Sequence, residues 1–242
     1  MLARFDPVPC RVEARLDRFR VAARGPRGES LVLHNTNTGR LLDVLVPGVR
    51  CLAYPIRGPR LRLRLAAVEY HGGLAVVDTV LQARAFEAAV EGGLLPWARG
   101  CRLLGRHPRV PVGRLDYRLD CGGSEVLVET KSAVLAGPRG EALYPDTVSL
   151  RGRRHVSWMI EAHRRGRRVM LVFIAAFPAA RCYAANPDGD PALASLIWEA
   201  RQLGVPMAAI SLEATTAGEV RLVNPSLPPC PGPWTRGPGG SG

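Results

Sequence analysis

The chain has 242 residues, 47% of them hydrophobic, with a formal net charge of +12 and a sequence pI near 10.4. That length buries a proper core as one large domain or two small ones, and no apolar run approaches the roughly 20 residues of a membrane span. The strong positive charge points to a polyanionic partner, most simply nucleic acid, and the N-terminal stretch lacks the apolar core of a secretory signal, so a cytoplasmic location is expected.

Residues 1–72 read as all-β. Short alternating runs at 10–16, 30–34 and 60–68, separated by Gly, Pro and Asn, predict about five strands and a small barrel such as an OB-fold. Within it, Arg60, Arg62 and Arg64 alternate with Leu61, Leu63 and Leu65. A strand there presents three guanidinium groups on one face, which can follow a phosphate backbone. An edge strand kept soluble by charge has the same pattern. The polar loop His34-Asn35-Thr36-Asn37-Thr38-Gly39-Arg40 suggests positive φ at Asn37 and Gly39.

The pattern then becomes helical. Val80, Leu81, Phe86, Ala89 and Val90 predict a helix over 78–93, ended by Gly92-Gly93, with a domain boundary near 70–77. A hairpin follows at 113–131, then a Gly/Pro loop at 136–141. Thr147 or Ser149 caps a helix running to about Arg165, with Val156, Met159 and Ile160 inward and Arg151, Arg153, Arg154 and His155 on its polar face. A buried strand (168–177), a helix (191–203) and a strand (207–212) complete an α/β layer with a mixed sheet. The expected division is a barrel over 1–74, an α/β domain over 75–224 and a disordered Pro/Gly-rich tail over 225–242. Six cysteines, at 10, 51, 101, 121, 182 and 230, form no Cys-x-x-Cys and argue against a zinc cluster. They are expected as thiols, with disulfides conceivable in a hyperthermophile.

The hairpin carries the chemistry. Leu115, Tyr117 and Leu119 alternate with Arg114, Asp116 and Arg118, and Gly122-Gly123 is a strong two-residue turn signal. Counting back from that turn places Cys121 opposite Ser124 and Asp116 opposite Glu129. Directly opposed side chains lie roughly 5 Å apart at Cβ, so the two carboxylates repel unless a divalent cation sits between them. Lys131 shares their face, and a slip of one residue would separate the pair. Lys131 is also the only lysine of the chain; all the rest of its 33 Lys plus Arg are arginine. The two side chains differ where a compact ammonium must approach a water or a phosphoryl oxygen.

Asp116 followed by Glu129-x-Lys131 across a hairpin resembles the PD-(D/E)xK nuclease superfamily. The surrounding residues are more specific. His34 with Asn37-Thr38-Gly39-Arg40, Gly113-Arg114-Leu115-Asp116-Tyr117, Val128-Glu129-Thr130-Lys131-Ser132, and Leu143-Tyr144-Pro145-Asp146-Thr147-Val148 with Arg151-Gly152 and His155 look like the sugar fermentation stimulation protein A family. The likeness covers about residues 12–215. It implies an OB-fold followed by a PD-(D/E)xK nuclease-like α/β domain, DNA binding, and a role classed both as nuclease and as regulator of sugar metabolism. Tyr144 stands where the family usually has Phe, and Asp78 and Ala83 stand at two of its Asn positions, so a contribution of that helix to the site is in doubt. Glu87 and Glu91 are expected as solvated helix residues.

The resemblance implies roles. Asp116 and Glu129 hold Mg²⁺ (or Mn²⁺), with the Thr130 backbone carbonyl as a third oxygen. Lys131 positions the attacking water, and Asp146 supports the site from behind. Arg151 and His155 contact phosphate near a helix N-terminus. The expected function is metal-dependent hydrolysis of DNA or RNA. The alternatives are a DNA-binding regulator of sugar (maltose) genes that does not cleave, and a purely structural salt-bridged hairpin. The oligomeric state is left open.

Overall fold

The computed structural model describes residues 1–58 and 61–231. After a short β1 (Ala3–Arg4), strands β2 (Val8–Arg15), β3 (Arg20–Arg24), β4 (Ser30–His34), β5 (Arg50–Pro55) and β6 (Leu63–Tyr70) run in the order β4-β3-β2-β5-β6. Parallel pairs Leu33↔Leu63 and His34↔Arg64 join β4 to β6 and close a five-stranded, OB-like barrel. The period of two decides its interior: Val12, Val21, Ala23, Leu33, Ala53 and Leu65 are all buried. The regular strand begins at Leu63, so Arg62 precedes it, and Arg60 lies outside the described residues.

Strand β6 continues past the barrel. His71 and Gly72, at φ 45° and 80°, turn it into β7 (Gly73–Val76), whose Leu74 pairs with Ala214 of the second unit. One sheet therefore runs through both halves of the molecule.

The second half contains α1 (Thr79–Glu91), β8 (Cys101–Arg106), β9 (Arg109–Val110), β10 (Gly113–Arg114), β11 (Tyr117–Cys121) and β12 (Glu125–Ala133). Then come β13 (Leu135–Ala136), β14 (Glu141–Tyr144), α2 (Leu150–Arg164), β15 (Val169–Ala175) and β16 (Cys182–Ala185). Helix α3 (Pro191–Gln202), β17 (Met207–Ala214) and β18 (Glu219–Asn224) complete it. Strands β12, β15 and β17 are parallel neighbours, while β11 and β8 extend the sheet antiparallel beyond β12. The result is the expected mixed α/β sheet. Helix α1 covers one face, packing Leu81, Phe86 and Ala89 against Val128, Val172 and Ile210. Helices α2 and α3 cover the other, packing Val156, Met159, Leu193 and Ile197 against Leu171 and Phe173. Asp78, Ser149 and Asp190 cap the three helices through their side chains. No described helix is long and apolar enough to cross a membrane.

Three expectations are corrected. Disulfides Cys101–Cys121 and Cys182–Cys230 replace four of the expected thiols; Cys10 and Cys51 stay free and buried. The tail is ordered at its start, where Cys230 is tied to Cys182 and buried Leu227 donates its amide to Ala209. The disorder expected further on falls on residues 232–242, outside the described residues. In the loop after β4 positive φ falls on Leu41 (51°) and Gly48 (87°), not on Asn37 or Gly39.

Candidate active site in the cleft between barrel and sheet

Gly122 and Gly123 turn the hairpin at φ 65° and 81°, and the pairs Tyr117↔Val128, Arg118↔Leu127, Leu119↔Val126 and Asp120↔Glu125 set its register. Continued past β11, that register brings Asp116 to Glu129. The strict alternation does not continue with it. Tyr117 and Leu119 pack beneath α1, whereas Leu115 joins Leu127 and Val156 on the opposite face. The backbone leaves the regular strand at Asp116, whose amide still donates to Val128 O at 3.1 Å.

Glu129 is the hub. Lys131 Nζ and His155 Nδ1 both stand 2.7 Å from Glu129 Oε1, while Glu129 Oε2 is buried with no hydrogen-bond partner among the described residues. Asp116 Oδ2 accepts from Thr130 N at 2.7 Å and Thr130 Oγ1 at 2.6 Å. Lys131 also lies 5.8 Å above the Tyr144 ring. Glu129, Lys131 and His155 are only 3%, 7% and 1% exposed.

Burial sets the electrostatics, and the neighbours then divide the two acids. Asp116 is held above the ordinary aspartate range by burial and the nearby Glu129, against the pull of the Thr130 bonds. For Glu129 burial acts in the same direction, but Lys131 and His155 outweigh it and hold the carboxyl below its usual range. Burial works against the Lys131 ammonium, yet Tyr144, Glu129 and Asp116 together raise its pKa.

Asp116, Glu129, Thr130, Lys131 and Tyr144 line a cavity of about 900 Å³. The barrel contributes Arg18 and the 36–39 loop, α1 contributes Thr79, Val80, Ala83 and Arg84, and residues 144–151 form the third wall. Four hydrogen bonds tie the barrel loop to the second unit, one of them from Thr79 N to Thr36 Oγ1 at 3.0 Å. Thr36 Oγ1 donates to Asp78 Oδ1 at 2.7 Å, Asn37 Nδ2 to Ser132 Oγ at 3.2 Å, and Leu41 N to Asp146 Oδ2 at 3.1 Å.

The structure brings Asp116, Glu129, Thr130, Lys131, Asp146 and Arg151 to this cleft. Several roles differ from those expected. Asp146 holds the barrel loop and makes no hydrogen bond to the acidic pair. His155 is not on a solvated helix face; it is buried against Glu129 and supports that carboxylate instead of meeting phosphate. Arg64 does not line the cleft: it donates to the Tyr54 hydroxyl at 3.2 Å, which in turn donates to Asp78 Oδ2 at 2.5 Å. Arg62 is exposed and likewise off the cleft. Arg153 forms an ion pair with the fully buried Asp190 at 2.7 Å. Glu87 and Glu91 are engaged, the first with Arg106 at 2.6 Å and the second with the amide of Leu103 at 2.6 Å.

Sequence reasoning missed Asn37, Ser132 and Tyr144 as cleft residues, and Arg18 and Arg84 as cationic wall positions. The clustered Asn and Thr of the 34–40 loop were the available signal for the first, because such side chains serve a crowded backbone. The donor set suits a hard cation. A partnerless Glu129 Oε2 and a second carboxylate face one cleft, and oxygen ligands are what Mg²⁺ and Ca²⁺ take. Among the described residues no group of three or more His, Cys, Asp or Glu gathers as a full cage.

Residues 14–77 match the family model described as the SfsA N-terminal OB domain, and residues 80–218 match the sugar fermentation stimulation protein RE domain. The chain is 45% identical over 186 residues to a sugar fermentation stimulation protein homolog of Pyrococcus furiosus, covering 76% of this chain and 80% of that one. Identity to the Archaeoglobus fulgidus homolog is 37% over 227 residues, covering 92% and 95%. A solved structure described as Pyrococcus furiosus SfsA in complex with Ca²⁺ matches with a TM-score of 0.89 at 38% identity, covering 94% and 97% of the two chains.

Proposed function

The chain belongs to the sugar fermentation stimulation protein (SfsA) family, and from that premise and the cleft geometry we propose that it is a divalent-cation-dependent nuclease acting on DNA or RNA. The observation that carries the reading is the lone buried lysine bonded to Glu129, with Asp116 adjoining, on the floor of a cleft that exposed arginines line. A structural ion pair needs no such access.

Asp116 and Glu129 would hold Mg²⁺ or Mn²⁺, and a relative solved in complex with Ca²⁺ supports divalent-cation binding in general. When bound, such an ion neutralises phosphate charge and acidifies a coordinated water. The rest falls to the chain's own side chains. His155 fixes Glu129 Oε1 from behind, and the two Thr130 donors fix Asp116 Oδ2, so one oxygen of each acid stays turned to other partners. Lys131, held protonated, places a positive charge where a pentacoordinate phosphorane gathers negative charge. Arg151, exposed at the start of α2, binds the strand beside the scissile bond.

The test is incubation of single- and double-stranded DNA and RNA with wild type, Glu129→Gln and Lys131→Met, in Mg²⁺, Mn²⁺ or EDTA. Cleavage is expected in the metals alone, reduced on the order of 100-fold or more in either variant. Oligonucleotides that stay intact with wild type in every metal, while still binding, would leave a nucleic-acid-binding regulator in place of the nuclease.

A further inference from the structure

Two features of the cleft bear on what form of strand it takes. At its rim Val148 and Leu150 are 58% and 62% exposed although both are large and apolar. They flank Ser149, the N-cap of α2, on a segment whose backbone is already fixed: Ser149 N donates to Asp190 Oδ2 at 2.9 Å, and Ser149 Oγ accepts from Gly152 N at 3.0 Å. The second feature is charge. Arg18, Arg84 and Arg151 line the same cavity, and none has a carboxylate partner among the described residues, whereas Arg106 beside them is paired with Glu87.

We propose that the cleft admits an unpaired nucleic-acid strand, whose bases lie against Val148 and Leu150 while Arg18, Arg84 and Arg151 take its phosphates. This rests on the nuclease reading and adds the form of its substrate. Unneutralised arginines match a polyanion, and adjacent exposed aliphatic groups match only a polyanion that also offers apolar faces. A single strand offers both. Duplex DNA hides its base faces in the stack and shows apolar side chains a partner only where a step is pried open. The floor points the same way, because Glu129 and Lys131 are almost fully buried and the bond to be cut must come down between three walls. A cavity of about 900 Å³ holds a short stretch of one strand.

The experiment measures binding by fluorescence anisotropy in EDTA, so that cleavage plays no part, with a labelled single strand and the duplex of the same sequence. Wild type is expected to bind the single strand about tenfold or more tightly over duplex, and Val148→Ser/Leu150→Ser to lose about tenfold in single-strand affinity with the salt slope unchanged. Arg18→Gln and Arg84→Gln are each expected to lower the salt slope by about one. The inference is overturned if wild type binds duplex as tightly as single strand, or if the double serine variant binds the single strand as wild type does. A dimer in sedimentation velocity that the same variant converts to monomer, with strand affinity intact, would make the rim a contact between copies of this chain and also overturn it. If no oligonucleotide binds at all, the nuclease reading itself fails, which the other outcomes leave standing.

Discussion

Asp116 Oδ2 accepts both donors of Thr130, the backbone amide at 2.7 Å and the hydroxyl at 2.6 Å. A residue expected to offer its carbonyl to a metal thus serves a neighbouring acid through its other polar atoms. Thr130→Val keeps the shape and the amide but removes the hydroxyl. Loss of one such orienting bond should weaken Mn²⁺ binding about tenfold, with folding unaltered. Titration calorimetry beside a circular dichroism melt checks this, and unchanged affinity would mean that the hydroxyl only fills space.

The Cys101–Cys121 bridge joins residues directly opposed on β8 and β11, across a sequence separation of 20. Closing a loop of that size in the unfolded chain contributes about 3 kcal/mol. Cys101→Ser/Cys121→Ser should therefore lower the unfolding free energy by about that amount. Urea titrations with and without a phosphine reductant are expected to show the gap between wild type and variant closing when both are reduced, since Cys182–Cys230 then opens in each.

Asp190 gives the fold an acid-sensitive joint. It caps α3 at Leu193 N, accepts from Ser149 N at the start of α2, and pairs with Arg153. Burial acts against its charge, but Arg153 and the two amides outweigh that and hold its pKa below the ordinary aspartate range. A depressed folded-state pKa adds stability above the unfolded value of about 3.9 and loses it as pH falls through the folded one. Asp190→Asn should be less stable than wild type by about 2 kcal/mol at pH 7, the worth of charged hydrogen bonds, and the gap should shrink as pH drops below about 4. Denaturant midpoints across that range test it; a gap independent of pH would locate the effect in packing.

Gly39 has no special φ, yet a Cβ there would run into the Asp146 carboxylate. Gly39→Ala must displace the group that accepts from Leu41 N, at a cost of about 1–3 kcal/mol for overpacking. Adding Asp146→Ala removes the obstacle, so the double variant should be destabilised by less than the sum of the two single changes. Thermal melts of all four proteins close the cycle.

Local signals made much of this molecule legible. The Gly122-Gly123 pair fixed the register that unites Asp116 with Glu129, and helical spacing located α1, α2 and α3 to within one or two residues. What stayed hidden depends on partners distant in sequence. His155 follows Arg153 and Arg154 and looks solvated until the fold sets it behind Glu129. Leu115 fits an alternation that holds only while the strand is straight, and the strand bends one residue later. Arg64 matched a phosphate-tracking row, but it already bonds the Tyr54 hydroxyl, which itself donates to Asp78. The pairing of Cys182 with Cys230 needed the tail to return over β16, which no periodicity announces.

The shared backbone ladder from β6 through β7 to β17, braced by the Asn37 and Asp146 tethers, has a mechanical consequence. The two halves have no free linker about which to swing, so the jaw is set at its working gape when the chain folds. For the proposed single strand, entry would then depend on how far the guest bends or frays, with no closure of the two halves to add selection.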